Sequence, residues 1–348
     1  MKYFAAVTLA FLLLAGCSKK NEQSSPNNDT NKYQVDSSDI KATPINASNE
    51  SFTLEYKFPK GKTYQYRLTT ITHDDQTIKM DTTLHSNIVQ NIIYLIDLTP
   101  VSVDKDGVIE FNLMFKSVKL NATADGKEYN YESETTTDSS EIKKYAEYKA
   151  LTGSDMGLRV SKKGEILDVF RTDKVVNNFL GIKGYTDSVN AMQREQLTSN
   201  MVEGAIKPLL YQIFRMTPDH KMTTDSSWTY KQPPSQMMIF KIQNTNTYKI
   251  TGLEQYGDNK LAVINAGLIT DISGNNKVTQ QGVTYKFEKP TTSAGGKLYF
   301  NLNDGCIQKA KTYTTIDISY SMEGRGPRGM QRGTKEEVIK NNYILERL

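Results

Sequence analysis

Ile88-Val89-Gln90-Asn91-Ile92-Ile93-Tyr94-Leu95-Ile96-Asp97-Leu98, then Asp104-Lys105-Asp106-Gly107, then Val108-Ile109-Glu110-Phe111-Asn112-Leu113-Met114-Phe115-Lys116-Ser117-Val118, decides the fold class. Two long runs rich in β-branched and aromatic residues flank a polar turn that ends in glycine. That is the signature of a long antiparallel hairpin. Strands of this length belong to wide antiparallel sheets. Upstream, Phe52-Thr53-Leu54-Glu55-Tyr56-Lys57-Phe58 alternates apolar and polar residues and reads as another strand. Pro59-Lys60-Gly61-Lys62 is a turn, and Tyr64, Tyr66 and Leu68 then share one face of the next run.

The plan recurs. Leu158 to Leu167 and Leu298 to Ile307 are each a strand, a polar turn with glycine, and a strand. The hairpin at Asp106-Gly107 has a counterpart in Tyr248 to Ile250, Gly257-Asp258-Asn259 and Leu261 to Ile264. Tyr64 to Leu68 corresponds to Ser227 to Tyr230. The order is the same in both halves, which reads as an internal duplication; the competing reading is chance likeness between hairpins. Helical sequence lies between them. Thr172 is placed to cap a helix from Asp173 to Leu180 that ends at Gly181. Thr186 or Asp187 is placed to cap a longer one, with Val189, Met192, Leu197, Met201, Ala205 and Ile206 at helical spacing. That stripe is expected to pack on the sheet as core, with lining of a lipid cavity as the alternative. Pro208 should kink this helix, and a further short helix is expected from Ser140 to Leu151.

The fold class is therefore mainly β (α+β), as two duplicated curved antiparallel sheets with a helical insert. The expected divisions are 1–16 as a lipoprotein signal peptide, 17–50 as a lipidated cysteine with a disordered tether, 51–170 as the first β-rich half, 171–216 as the insert and 217–348 as the second half. The first two divisions rest on Lys2, the apolar run Phe4 to Leu14, and Leu14-Ala15-Gly16-Cys17. The run is too short to span a bilayer, which takes about 20 residues. It reads as a signal peptide cleaved before Cys17, whose thiol takes a diacylglycerol. Two or three acyl chains would hold the protein on its membrane. Ser18 follows the cysteine without an acidic cluster, which points to the outer membrane and its periplasmic face. Ser18 to about Glu50 is polar, and as a flexible coil would span roughly 30 Å.

Composition excludes several classes. The net charge of +4 falls to +3 when Lys2 is removed, far from the basic footprint of a nucleic-acid binder. With Cys17 lipidated, Cys306 has no disulfide partner. His73, His85 and His220 lack metal-ligand spacing. No cofactor or metal is expected. Asp104-Lys105-Asp106-Gly107 opens like a calcium loop, but Glu110 and Asn112 miss the required positions, so it reads as a hairpin turn. Ser140-Glu141-Ile142-Lys143 has Ser-x-x-Lys spacing without its companion motifs, and capping by Ser139 or Ser140 explains it better. The unusual stretch is Gly324 to Gly333, where Arg325, Arg328 and Arg332 stand among four glycines at a hairpin tip. Arginine forks suit phosphate or carboxylate, so these three are the candidate contacts to an anion or a partner, against a solvated loop as the plainer reading.

Tyr56 to Tyr66, the Leu158 to Leu167 hairpin, Asp225-Ser226-Ser227-Trp228, and Gly296 to Phe300 with its Gly305 turn together resemble an uncharacterised family of cell-envelope lipoproteins of the Bacteroidota, a domain of unknown function. The resemblance covers most of residues 52–345 and implies β-rich halves. It carries over no catalytic residue. The functional expectation is a non-catalytic module binding an apolar ligand or an envelope partner. The alternatives are an assembly accessory that holds another envelope protein and, behind both, a hydrolase with scattered catalytic groups. A deep apolar cavity favours the first, a filled core with an exposed apolar patch the second.

Overall fold

A computed structural model describes residues 30–46, 50–326 and 329–348. Its strands are β1 (Thr43–Ile45), β2 (Tyr64–Lys79), β3 (Thr83–Val103), β4 (Ile109–Ala124), β5 (Lys127–Glu132), β6 (Asp155–Val160), β7 (Ile166–Phe170), β8 (Ser227–Lys231), β9 (Ser235–Met237), β10 (Phe240–Tyr256), β11 (Asn259–Ser273), β12 (Lys277–Gln280), β13 (Val283–Phe287), β14 (Thr291–Asn301), β15 (Cys306–Gly326) and β16 (Gly329–Arg347). The helices are α1 (Ser139–Lys144), α2 (Ala146–Leu151), α3 (Asp173–Lys183), α4 (Ala191–Met201) and α5 (Lys207–Ile213).

The mainly β class and the central helical insert are observed. The strands, however, form one 16-stranded sheet with the main order β1-β10-β11-β14-β15-β16-β2-β3-β4-β6-β7, not two sheets. The reason is β16. It pairs along its length with β15 and, from Thr334 to Arg347, with β2, so the last strand of the chain joins the two halves. Within the sheet, β8-β10-β11-β14-β15 follows the same neighbour order as β2-β3-β4-β6-β7.

One face of the sheet carries the core. Tyr66, Leu68, Ile96, Phe111, Phe300 and Leu345 point inward and are buried. The run 52–58, expected as a strand, forms no ladder with another strand. It crosses the narrow end as an extended plug, with Leu54, Tyr56 and Phe58 buried and Thr53 and Lys57 exposed. Its period of two is real, but its partners are turns: Tyr56 N–H donates to Lys162 O (2.8 Å) and Lys57 N–H to Gly305 O (2.9 Å). The two turns are those of the matching hairpins β6–β7 and β14–β15. Tyr56 packs edge-on against Phe300, and Phe58 against Tyr64 and Phe111.

The expected disordered tether to Glu50 needs correction for residues 30–46. These form a strap across the outer, convex face. Lys32 pairs with Glu134 (2.6 Å), Asp36 with Lys309 (2.8 Å) and Asp39 with Lys297 (2.7 Å), and β1 adds to the edge of β10. Ile40 packs on Leu261, Val263 and Tyr299. Composition read this stretch as disordered because charge pairs and backbone pairing, more than apolar burial, hold it down. Below it lies a buried ion pair, Arg67 Nε to Glu346 Oε2 at 2.8 Å.

The helices also differ in detail. Thr172 stands at the N-cap of α3 but makes no side-chain cap bond, and α3 runs past Gly181 to Gly184, whose φ of 79° is the left-handed conformation that ends helices. α4 is capped by Asn190 in a capping box with Gln193, not by Thr186 or Asp187. α1 is capped by Asp138, which accepts from Ser140 N–H (2.9 Å) and Glu141 N–H (3.0 Å), in place of Ser139 or Ser140. The expected helix Ser140 to Leu151 breaks at Tyr145 into α1 and α2. The Met and Leu stripe divides: α4 buries no residue and leaves Met192 80% exposed, whereas Val202, Ile206, Leu210 and Ile213 are core. A single π-helical stretch, Val202–Ile206, joins α4 to α5 just before Pro208, where the missing N–H interrupts the regular ladder.

Candidate functional site

The strands are longer than the core they enclose. Beyond Leu68 the inward side of β2 continues as Thr70, Thr72, Asp74, Gln76 and Ile78, and its neighbours continue with it. The result is an open trough on the concave face. Ile88, Leu268, Ile316, Ile318 and Ile339 line it and are only half-buried. Polar rungs cross between them. Thr72 donates to Asn341 (2.8 Å) and Asn341 to Thr314 (3.4 Å), Thr270 donates to Asn244 (2.8 Å), and Gln232 to Asn246 (2.8 Å). The floor therefore offers both apolar contact and amide or hydroxyl groups.

Aromatic residues bound the trough at both ends. At the narrow end Trp228 stacks on Tyr248 (4.9 Å between centroids, 20°), and the indole donates to Met216 O at 2.9 Å. Arg215 lies beside them, and its buried Nε has no hydrogen-bond partner. The void here is about 10 Å³, room for no more than one water. The core end is thus filled, by the plug and by α5, and no deep apolar cavity opens there. At the far end Phe240, Phe287 and Tyr320 form a second cluster, with Phe287 and Tyr320 at 5.0 Å. Near the rim a concavity of about 300 Å³ lies between Gln76, Ile78, Leu84, His85, Ser86 and Asp125.

Asp74 is the most unusual group on the floor. The residue is 1% exposed; Oδ2 accepts from Gln76 Nε2 at 3.0 Å, and Oδ1 has no partner. Burial raises its pKa, and nearby Glu337 adds to this while Gln76 and Lys335 oppose it. Lys335 and Glu337 pair at 2.9 Å close by. A carboxyl raised on folding binds more protons in the folded than in the unfolded state just above its ordinary range. Stability therefore falls as pH rises from the unfolded pKa through the folded one. Asp74→Asn should remove that dependence and raise the urea midpoint at neutral pH relative to wild type. An unchanged midpoint–pH curve would show that Asp74 carries no such cost.

The sequence-derived candidates are placed as follows. Arg325 and Arg332 are exposed at the β15–β16 tip, and Arg332 Nε meets Glu323 Oε2 at 3.2 Å. Arg328 and Cys17 lie outside the described residues. Asp104 is a hairpin-turn residue, its Oδ1 accepting from Asp106 and Val108 N–H at 2.9 Å each. The histidines are not brought together. His73 and His85 sit on β2 and β3 four residues apart in register, roughly 13 Å, and His220 meets its chain neighbour Asp219 at 3.3 Å. Among the described residues no group of three metal-ligating side chains forms. Cys306 is buried with its sulfur 3.0 Å from Arg347 Nη1; burial pushes the thiol pKa up, against a reactive role. Sequence reasoning missed the trough. Its only signal is the period of two continuing with Thr, Asn and Gln inside.

A family model, described as a family of unknown function (DUF6263), matches residues 106–307, more than half of the chain. The chain belongs to DUF6263. The matched span of this DUF6263 protein runs from the β3–β4 turn to the β14–β15 hairpin, so it includes the narrow end, the helical insert and the trough strands β10, β11 and β14. Among curated proteins none matches in sequence. Solved structures similar to it include lipovitellin, described by its lipid–protein interactions, at 11% identity and TM-score 0.41 over 84% of this chain and 25% of lipovitellin. An outer membrane channel of Pseudomonas putida F1 matches at 8% identity and TM-score 0.22 (84% of this chain, 98% of the channel). Pseudomonas aeruginosa OccK7 matches at 7% identity and TM-score 0.19 (82% and 99%). The DUF6263 chain thus spans a quarter of the length of lipovitellin. No helix among its described residues is long and apolar enough to cross a membrane.

Proposed function

We propose that this protein is a non-catalytic binding module of the bacterial cell envelope, lipid-anchored through Cys17 at the periplasmic face of the outer membrane, and that its ligand lies along the open trough. One observation carries the reading: the inward faces of β2, β10, β11, β15 and β16 run on past the filled core, and no described segment covers them. Their half-buried isoleucines and leucine give an apolar bed, and the Asn and Thr rungs give hydrogen bonds. An amphipathic small molecule with an elongated apolar part fits both. The filled narrow end disfavours a ligand enclosed inside the protein, as a deep carrier would hold it. It favours the second reading, an assembly accessory whose trough takes an extended segment of another envelope protein.

The test is native mass spectrometry of the complete chain with Cys17→Ala, purified gently from its own envelope, together with titration of a dansyl-labelled fatty acid. A one-to-one adduct is expected. Leu268→Asn and Ile316→Asn should each weaken the fatty acid about tenfold or more, since each removes apolar contact worth roughly 1.5 kcal/mol or more. A bare monomer with no fatty-acid binding would overturn the small-ligand reading. Photo-crosslinks from position 268 to a second protein would then support the accessory.

A further inference from the structure

Two hairpin tips overhang the open end of the trough, and their surface is not explained by binding along its floor. The β2–β3 tip spans Lys79 to Leu84, and the β15–β16 tip lies where Gly326 pairs with Gly329. β16 pairs with β2 as far as Thr334 opposite Lys79, and the β15–β16 hairpin runs on past that point to Gly329, so its tip stands farther out than the neighbouring β2–β3 tip. Met80 reaches across to β16, where a Cβ on Gly333 would meet its Cγ at 2.9 Å. Met80, Leu84 and Met330 are 51%, 63% and 61% exposed. Three large apolar side chains therefore project into solvent from the staggered ends of two neighbouring hairpins.

Cations stand among them. Lys79, Arg325 and Arg332 are all exposed. Lys79 meets Glu336 only at 3.5 Å, and Arg332 meets Glu323 at 3.2 Å while its side chain stays 78% exposed. Exposed pairs of this kind hold their partners weakly, so the cations remain available to a stronger anion. Residues 324–333 contain no acid at all. Narrow tips that combine separate apolar side chains with arginines suit the headgroup layer of a bilayer, where apolar groups sink past the phosphates and guanidiniums stay with them. A protein partner or a second copy would call for a continuous flat patch, and these side chains leave two separate turns.

We propose that the open rim docks on an anionic bilayer surface, with Met80, Leu84 and Met330 entering the headgroup layer and Lys79, Arg325 and Arg332 meeting lipid phosphates. The trough would then open toward the membrane. This docking does not depend on what the trough binds.

The test uses the complete chain with Cys17→Ala, so that no acyl chain masks the contact, in sedimentation with two kinds of vesicle. One is phosphatidylcholine alone; the other is phosphatidylcholine and phosphatidylglycerol in equal parts. Binding to the second is expected, reduced by high salt. Leu84→Gln and Met330→Glu should each lower the partition coefficient about tenfold, and Arg325→Gln and Arg332→Gln about fivefold each. All four sites are exposed, so the melting temperature should not move. Leu268→Asn should leave vesicle binding unchanged, which separates this result from failure of the trough reading. Equal binding of wild type and the combined tip variant, or no binding to anionic vesicles at low salt, would overturn the proposal. So would a concentration-dependent dimer that the tip variant loses, because the tips would then meet a second copy.

Discussion

Gly305→Ala should lower the unfolding free energy by about 3–5 kcal/mol, a large fraction of what holds a domain together. Gly305 has a φ of 62°, in the left-handed region that strains other residues. A Cβ there would lie 2.6 Å from the carbonyl oxygen of Glu55 and 2.6 Å from the amide nitrogen of Lys57. Both obstacles are backbone, and neither can swing aside. The Lys57 amide is also bonded to Gly305 O, so the turn cannot retreat without losing the plug. Moving the plug would loosen Leu54, Tyr56 and Phe58, all buried. Gly126 is the control. Its φ is 79°, yet nothing lies within 4 Å of a Cβ built on it, so Gly126→Ala should cost about 1 kcal/mol from backbone strain alone. Urea unfolding of the two variants decides the matter. Equal losses would mean that the contact between turn and plug contributes nothing.

Arg67→Met is the second large effect, expected at about 3–5 kcal/mol. Arg67 and Glu346 are cross-strand partners on the convex side of the seam, each with its side chain 9% exposed. The Arg67 guanidinium also donates to Lys32 O at 3.1 Å, and Glu346 accepts from Asp36 N–H at 3.3 Å, so the pair is the seat on which the strap rests. Without Arg67 the buried carboxylate keeps the Asp36 N–H and, as the nearest described cation, Lys309 at 4.0 Å, and that lysine is already committed to Asp36 at 2.8 Å. The loss comes from stranding a charge more than from the pair's own attraction. Arg67→Met with Glu346→Leu should therefore recover most of it. The readout is urea unfolding with limited proteolysis of residues 30–46. A double variant as unstable as the single one would show that the pair's attraction is itself the stabilising factor.

Much of the sheet could be read from local pattern. The hairpin around Asp106-Gly107, the strand from Tyr64 to Leu68 and the paired turns at Gly164 and Gly305 all obey the period of two, because their inner residues are apolar. Legibility ends where the inner residues become Thr72, Asn341, Thr314 and Asn244. These face the trough, but their polarity hides which side is in. The plug shows the opposite error. Leu54, Tyr56 and Phe58 alternate as a strand does, since any extended chain with one buried face has that pattern, whether it pairs with strands or with turns. The strap failed for a third reason. Its partners, Glu134, Lys297 and Lys309, lie over a hundred residues away, and composition weighs apolar burial, not distant charge.

The seam between β2 and β16 has a consequence in time. β2 begins at Tyr64, and its partner on one side is the last strand of the chain. During delivery of the polypeptide, N-terminus first, the first half can assemble β2 to β7 while the outer edge of β2 remains an open row of amides and carbonyls. Nothing closes it until some 250 further residues have emerged. Contacts this far apart in sequence form slowly, and an open strand edge invites pairing with other chains. Until β16 pairs with it, the edge of β2 is therefore the place where self-association during folding is expected.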